Sequence, residues 1–159
     1  MRRLVLAAAF LALSALPAAA DPAEVKRVLE EAGLFGHWGV DCEAMASSTE
    51  WEQIVVDARG VPQSIVGGDD SIWTYDIVAA ERLDADEVRM SFSPVDLPGD
   101  DVVSPDDGIV VVYRVEANRQ MTWQSTTAGG ERLIADGRFR DGDSRSEWYN
   151  RCPKGIPTP

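Results

Sequence analysis

The chain holds one histidine, His37, two cysteines, Cys42 and Cys152, and 27 acidic against 15 basic residues. A nucleophilic site of the Ser-His-acid or Cys-His kind needs a histidine as base. His37 stands between Gly36 and Trp38, and alternation along an extended strand turns it away from Trp38 toward the surface. Gly142-Asp143-Ser144-Arg145-Ser146 lacks the second glycine and the strand-to-helix setting of a nucleophile elbow. No spacing among the acidic residues singles out a catalytic carboxylate pair. The residues therefore read as those of a protein that is not an enzyme and carries no cofactor.

Oxygen-rich clusters at Asp69-Asp70, Asp100-Asp101, Asp106-Asp107 and Asp141 with Asp143 suit calcium by ligand type. None has the form of a calcium loop: Asp141 to Glu147 puts Arg145 where a ligand belongs and lacks the central glycine. No metal site is expected, and the clusters read as solvated loops. The stretch Asp96 to Asp107, with two prolines, is the longest connection and could serve as a lid or contact loop. The two cysteines are far apart, neither lies in a C-x-x-C, and His37 is near only one of them. They read as one disulfide rather than as metal-bound thiols. In the chain-entropy picture a bridge closing so long a loop stabilises the fold by roughly 4 to 5 kcal/mol.

The remaining residues with binding chemistry are large and apolar or aromatic: Trp73, Tyr75, Met90, Tyr113, Met121 and Trp123. If they line a cavity, they suit a small apolar or amphipathic ligand. The competing reading is that they fill the interior.

The elements that must position them begin after residue 20. Arg2 and Arg3, the apolar run Leu4 to Leu16, and Pro17-Ala18-Ala19-Ala20 follow the pattern of a secretory signal cleaved after Ala20. The apolar run is too short to span a bilayer. Residues 21–159 then form a single domain, exported to the periplasm, where a disulfide persists. Arg2 and Arg3 are the only charged residues removed, so 13 basic side chains face 27 acidic ones, a net −14. That balance excludes nucleic acid and anionic membranes as partners and favours cations or basic proteins.

Asp21-Pro22 opens a short helix with Val25, Val28, Leu29 and Leu34 at helical spacing, stopped by Gly33. Beyond Gly36 the pattern is strands, at 37–42, 51–58, 61–66, 71–82, 87–94, 108–116, 120–127, 131–139 and 146–152. Alternation places Trp73, Tyr75, Ile77 and Ala79, then Val88, Met90 and Phe92, on one face. The same reading sets Ile109, Val111, Tyr113 and Val115 against Met121 and Trp123. Hairpin connections without a crossover helix predict an all-β, antiparallel up-and-down barrel of about eight strands, with a two-sheet sandwich as the alternative. A Cys42–Cys152 bridge joins the predicted first and last strands, as closure requires.

Gly36-His37-Trp38, opening the first strand after a short helix, resembles the G-x-W signature of lipocalin-like (calycin) barrels. The resemblance implies that Trp38 plugs one barrel end and that an arginine of the last strand, Arg151, packs across it. Taken with Trp38-Gly39-Val40-Asp41-Cys42 and Trp148-Tyr149-Asn150-Arg151-Cys152, the chain is similar to small two-cysteine periplasmic proteins of alphaproteobacterial type, a group that implies almost no function. Phe35 to Cys42 is also similar to invasion-associated locus B proteins, which are richer in cysteine. The expected function is a periplasmic barrel binding a small apolar or amphipathic molecule. The alternative is an acidic protein-binding module, such as an inhibitor of a basic lytic enzyme of the lysozyme kind.

Overall fold

The computed structural model describes residues 20–43, 50–68, 71–95 and 108–153. The signal segment through Ala19, the Asp96–Asp107 connection and the pairs Asp69-Asp70, Asp100-Asp101 and Asp106-Asp107 lie outside them.

Helix α1 (Pro22–Glu31) starts where Asp21 accepts a hydrogen bond from Ala23 N at 3.0 Å, with Pro22 in the first turn. It ends in a Schellman turn: Gly33 takes φ +68°, its N–H donates to Glu30 O at 3.0 Å, and Leu34 N donates to Leu29 O at 2.9 Å. A side chain at Gly33 would be strained in that left-handed conformation, so glycine sets the stop. Val25, Val28, Leu29 and Leu34 are buried with Ile54, Ile77, Val88 and Met90. Each such side chain contributes roughly 1.5 to 3 kcal/mol by leaving water. Arg27, paired with Glu24 and Glu31, marks the wet face, where ion pairs add little.

Among the described residues ten strands follow: β1 (Gly36–Gly39), β2 (Trp51–Val56), β3 (Pro62–Gly68), β4 (Ser71–Arg82), β5 (Glu87–Pro94), β6 (Ile109–Glu116), β7 (Arg119–Thr127), β8 (Arg132–Ala135), β9 (Arg138–Phe139) and β10 (Tyr149–Cys152). Each of β1 to β7 pairs antiparallel with the next, and β10 pairs with both β7 and β1. The result is a closed eight-stranded up-and-down barrel, with β8 and β9 as a hairpin on the free part of β7. Closure rules out the sandwich, and it leaves no open edge in the ring. The predicted single strand 131–139 is two strands, because Asp136 (φ +51°) and Gly137 (φ +67°) form a tight turn between them.

At the seam, Trp38 pairs with Arg151 and His37 with Cys152. Cys42, in the turn beyond β1, is disulfide-bonded to Cys152 with the Cα atoms 5.3 Å apart. The bridge, Trp51 and Ile65 form a small cluster of their own. Gly67 lies directly under the Trp51 ring, where a Cβ would overlap the indole.

Helix α1 closes the barrel end at which β4 finishes, and Arg82 of that strand donates to Glu31 O at 3.3 Å. Inside that end Leu29, Ile54, Ile77, Val88 and Met90 are at most 1 % exposed. The interior toward the opposite end differs in kind.

Candidate functional site

β2 runs Trp51-Glu52-Gln53-Ile54, and strand alternation puts Glu52 on the same inward face as the core residue Ile54. The carboxyl group is therefore held inside the barrel, where it is 3 % exposed. Three neighbouring strands supply its partners. Ser64 Oγ (β3) and Tyr113 OH (β6) donate to Glu52 Oε1 at 2.6 and 2.9 Å, and Gln120 Nε2 (β7) donates to Oε2 at 2.7 Å. Burial pushes the Glu52 carboxyl above its usual value, against the pull of these three hydrogen bonds. Burial, then the charge of Glu52, raises the Tyr113 phenol well above its ordinary range.

Glu52 and Gln120 border a cavity of about 480 Å³ whose wall also includes Glu50, Phe139, Arg145, Glu147 and Tyr149. Its shape follows from how β7 shares its edge. β10 pairs with β7 only at Arg119 and Gln120, whereas β8 pairs with it at Ser125 and Thr126. The chain between β8 and β10 loops across the gap, anchored where Gly137 N donates to Trp123 O at 2.9 Å, and it supplies Phe139, Arg145 and Glu147 to the cavity wall. Tyr149 donates to Glu50 Oε2 at 3.0 Å, and burial raises its phenol first, with Glu50 adding to the shift.

A second cavity, about 210 Å³, lies between Trp73, Tyr75, Phe92, Ile109, Val111 and Ser125. Val66, Tyr113, Thr122 and Ile134 wall both cavities, so the two are neighbouring compartments, one lined by carboxylates and amide, the other by aromatic and aliphatic groups. Tyr75 and Tyr113 flank Phe92, with ring centroids at 6.2 and 6.5 Å.

Of the six residues expected to line a pocket, Trp73 and Tyr75 border the apolar compartment, Met121 the polar one and Tyr113 both. Met90 and Trp123 border neither. Met90 is fully buried at the helix end. Trp123 is the extra residue of a β-bulge, since Val112 pairs with Gln124 and Tyr113 with Thr122. The bulge reverses the expected facing: Thr122 joins Tyr113 inside, while Met121 shares a face with Arg114, whose guanidinium lies 3.7 Å from the Trp123 ring centroid. Trp38 is fully buried, its indole N–H donates to Leu34 O at 2.8 Å, and the Arg151 guanidinium lies 4.6 Å from its ring centroid while donating to Gly33 O. His37 is half-buried, away from both cavities. Asp141 is occupied locally, accepting from Asp143 N and Ser144 N at 3.1 and 3.2 Å. Among the described residues no group of acidic, histidine or cysteine side chains is arranged to hold a metal, and no helix is long and apolar enough to cross a membrane.

Sequence reasoning missed Glu52 and Gln120. The signal for Glu52 is its parity with Ile54, an acidic residue on the inward face of a strand.

The fold and interior define an eight-stranded antiparallel barrel with one disulfide, compatible with a calycin-like fold. No protein family matches the chain, and no match emerged among curated proteins or solved structures.

Proposed function

We propose that the protein is an exported, lipocalin-like periplasmic binding protein that holds a small apolar or amphipathic molecule inside the barrel. One observation carries this reading: the interior away from α1 is hollow, with compartments of about 480 and 210 Å³ sharing a wall. The larger is within the size range of small-molecule sites, and the smaller is lined largely by apolar groups with a few convergent polar ones, as such sites are. The disulfide fits an oxidising compartment. The acidic protein-binding alternative draws on loops that lie for the most part outside the described residues, and nothing in the barrel favours it.

The test is titration of the protein with fatty acids, lysolipids, tetrapyrroles and aromatic amphiphiles, followed by tryptophan fluorescence. Trp73 borders the apolar compartment, so a bound molecule should change the emission saturably, and Trp73→Phe should remove most of that change. No saturable response to any member of the panel would overturn the reading.

A further inference from the structure

The larger cavity is bordered by Glu52 and Gln120, whose carboxylate and amide are hydrogen-bonded to each other. Glu52 Oε1 accepts two protein hydrogen bonds, whereas Oε2 accepts only the one from Gln120 Nε2. Gln120 is 1 % exposed, and its Oε1 has no partner among the described residues. Gln120 turns its NH2 toward Glu52, the orientation that matches an ionised carboxylate because it only accepts, and the carbonyl oxygen is then the unpaired atom. A buried acceptor without a donor is a cost to the fold. The charge around it has one dominant sign. Glu50 and Glu147 also border the cavity, and Arg145 is the one basic side chain in its described wall. Across the shared wall, Trp73, Tyr75 and Phe92 offer aromatic surface with no charge.

We propose that the interior takes a small cationic amphiphile, with a protonated amine placed among the carboxylates of Glu52, Glu50 and Glu147 that border the larger cavity and an aromatic or aliphatic body in the compartment of Trp73, Tyr75 and Phe92. The assignment rests on the interior being a binding site, and it adds the sign and the donor character of the head group. An ammonium brings several donors and the matching charge. A carboxylate or phosphate head would bring acceptors against acceptors and negative against negative, a mismatch that selects against it.

Calorimetric titration of the protein with phenylbutylamine, phenylbutanol and phenylbutyrate tests this, because the three share a body and differ in the head. The amine should bind tightest, by about tenfold or more over the alcohol, and the carboxylate should not bind measurably. Glu52→Gln should bring the amine down toward the affinity of the alcohol. Trp73→Ala should weaken both together. If the alcohol or the carboxylate binds as tightly as the amine, or if Glu52→Gln folds and keeps the amine preference, the head-group assignment falls and the binding reading stands. If none of the three binds, and the wider panel is also silent, the binding reading itself falls. The comparison of the three ligands on the unaltered protein decides the charge preference even if a variant fails to fold.

Discussion

The two ends of the barrel interior obey the same strand alternation and reach opposite outcomes. At the helix end, α1 inserts Val25 and Leu29, and the turn after it Leu34, against Ile54, Ile77, Val88 and Met90, every one of them at most 1 % exposed. At the other end the inward positions carry Glu52, Ser64, Gln120, Thr122 and Ser125 beside Trp73, Tyr75 and Phe92, and they enclose space. Inward-facing is thus a statement about geometry, and filled is a statement about volume and about what else enters. One end receives a helix. The other receives polar side chains that need partners, which an apolar core cannot offer.

The hollow end has little packing of its own and so depends on closure. The bridge between Cys42 and Cys152 lies 110 residues apart in sequence and ties β10 to the turn after β1. Replacing both cysteines with serine should cost roughly 4 to 5 kcal/mol by chain entropy. Urea unfolding measures the loss. Hydrogen exchange should show protection falling first in β10 and β1 and last in α1, β4 and β5; a uniform loss would mean that the two ends share their stability.

Truncations at matched depth sharpen the contrast. Leu29→Ala, at the packed end, should cost about 2 to 5 kcal/mol, the range for opening a cavity in a close-packed core. Trp73→Ala removes a larger side chain, but one already bordering empty space and half-buried. Its cost should fall below the roughly 3 to 5 kcal/mol usual for burying and then deleting an aromatic. If Trp73→Ala proves the more damaging of the two by chemical denaturation, the apolar compartment is packed and not hollow.

Much of this architecture was legible in the residues. Asp21-Pro22, Gly33 and the spacing of Val25, Val28 and Leu29 specify α1, and the ranges 71–82 and 87–94 coincide with β4 and β5, although a bulge between Ile77 and Ala79 brings Ala80 instead of Ala79 against the core. The cysteines' place near the predicted ends of the sheet anticipates the seam. The departures share a cause, which is that alternation is a local rule broken by one residue. Asp136-Gly137 is a strong two-residue turn signal, and reading 131–139 as one strand passes over it. The bulge at Trp123 carries no such signal, since it arises from how β7 pairs with β6, and it exchanges Met121 for Thr122 on the inner face. Glu52 was legible from parity with Ile54. Its partners were not, because Ser64, Tyr113 and Gln120 converge on it only once three other strands are in register.

The smallest expected effect probes the polar layer that divides the two ends. Burial raises the Glu52 carboxyl above its ordinary value of 4.5 in the folded chain. Between that value and the raised one the native state holds more protons than the unfolded chain, so this group's contribution falls as pH rises, and it is complete below 4.5. Asp57 and Asp141 are shifted downward and act in the opposite sense, losing stability on acidification. Glu52→Gln removes only the first effect, and Gln120 can turn its free carbonyl oxygen to meet the new amide NH2. The variant should therefore equal the wild type near pH 4 and exceed it progressively toward neutrality. Denaturant midpoints of both proteins across that range provide the difference curve, in which Asp57 and Asp141 cancel. A variant that is less stable at every pH would mean that the three donors outweigh the burial of the charge. A variant that gains stability while losing the amine would mean that Glu52 is kept in the barrel for what it binds, at some cost to the fold.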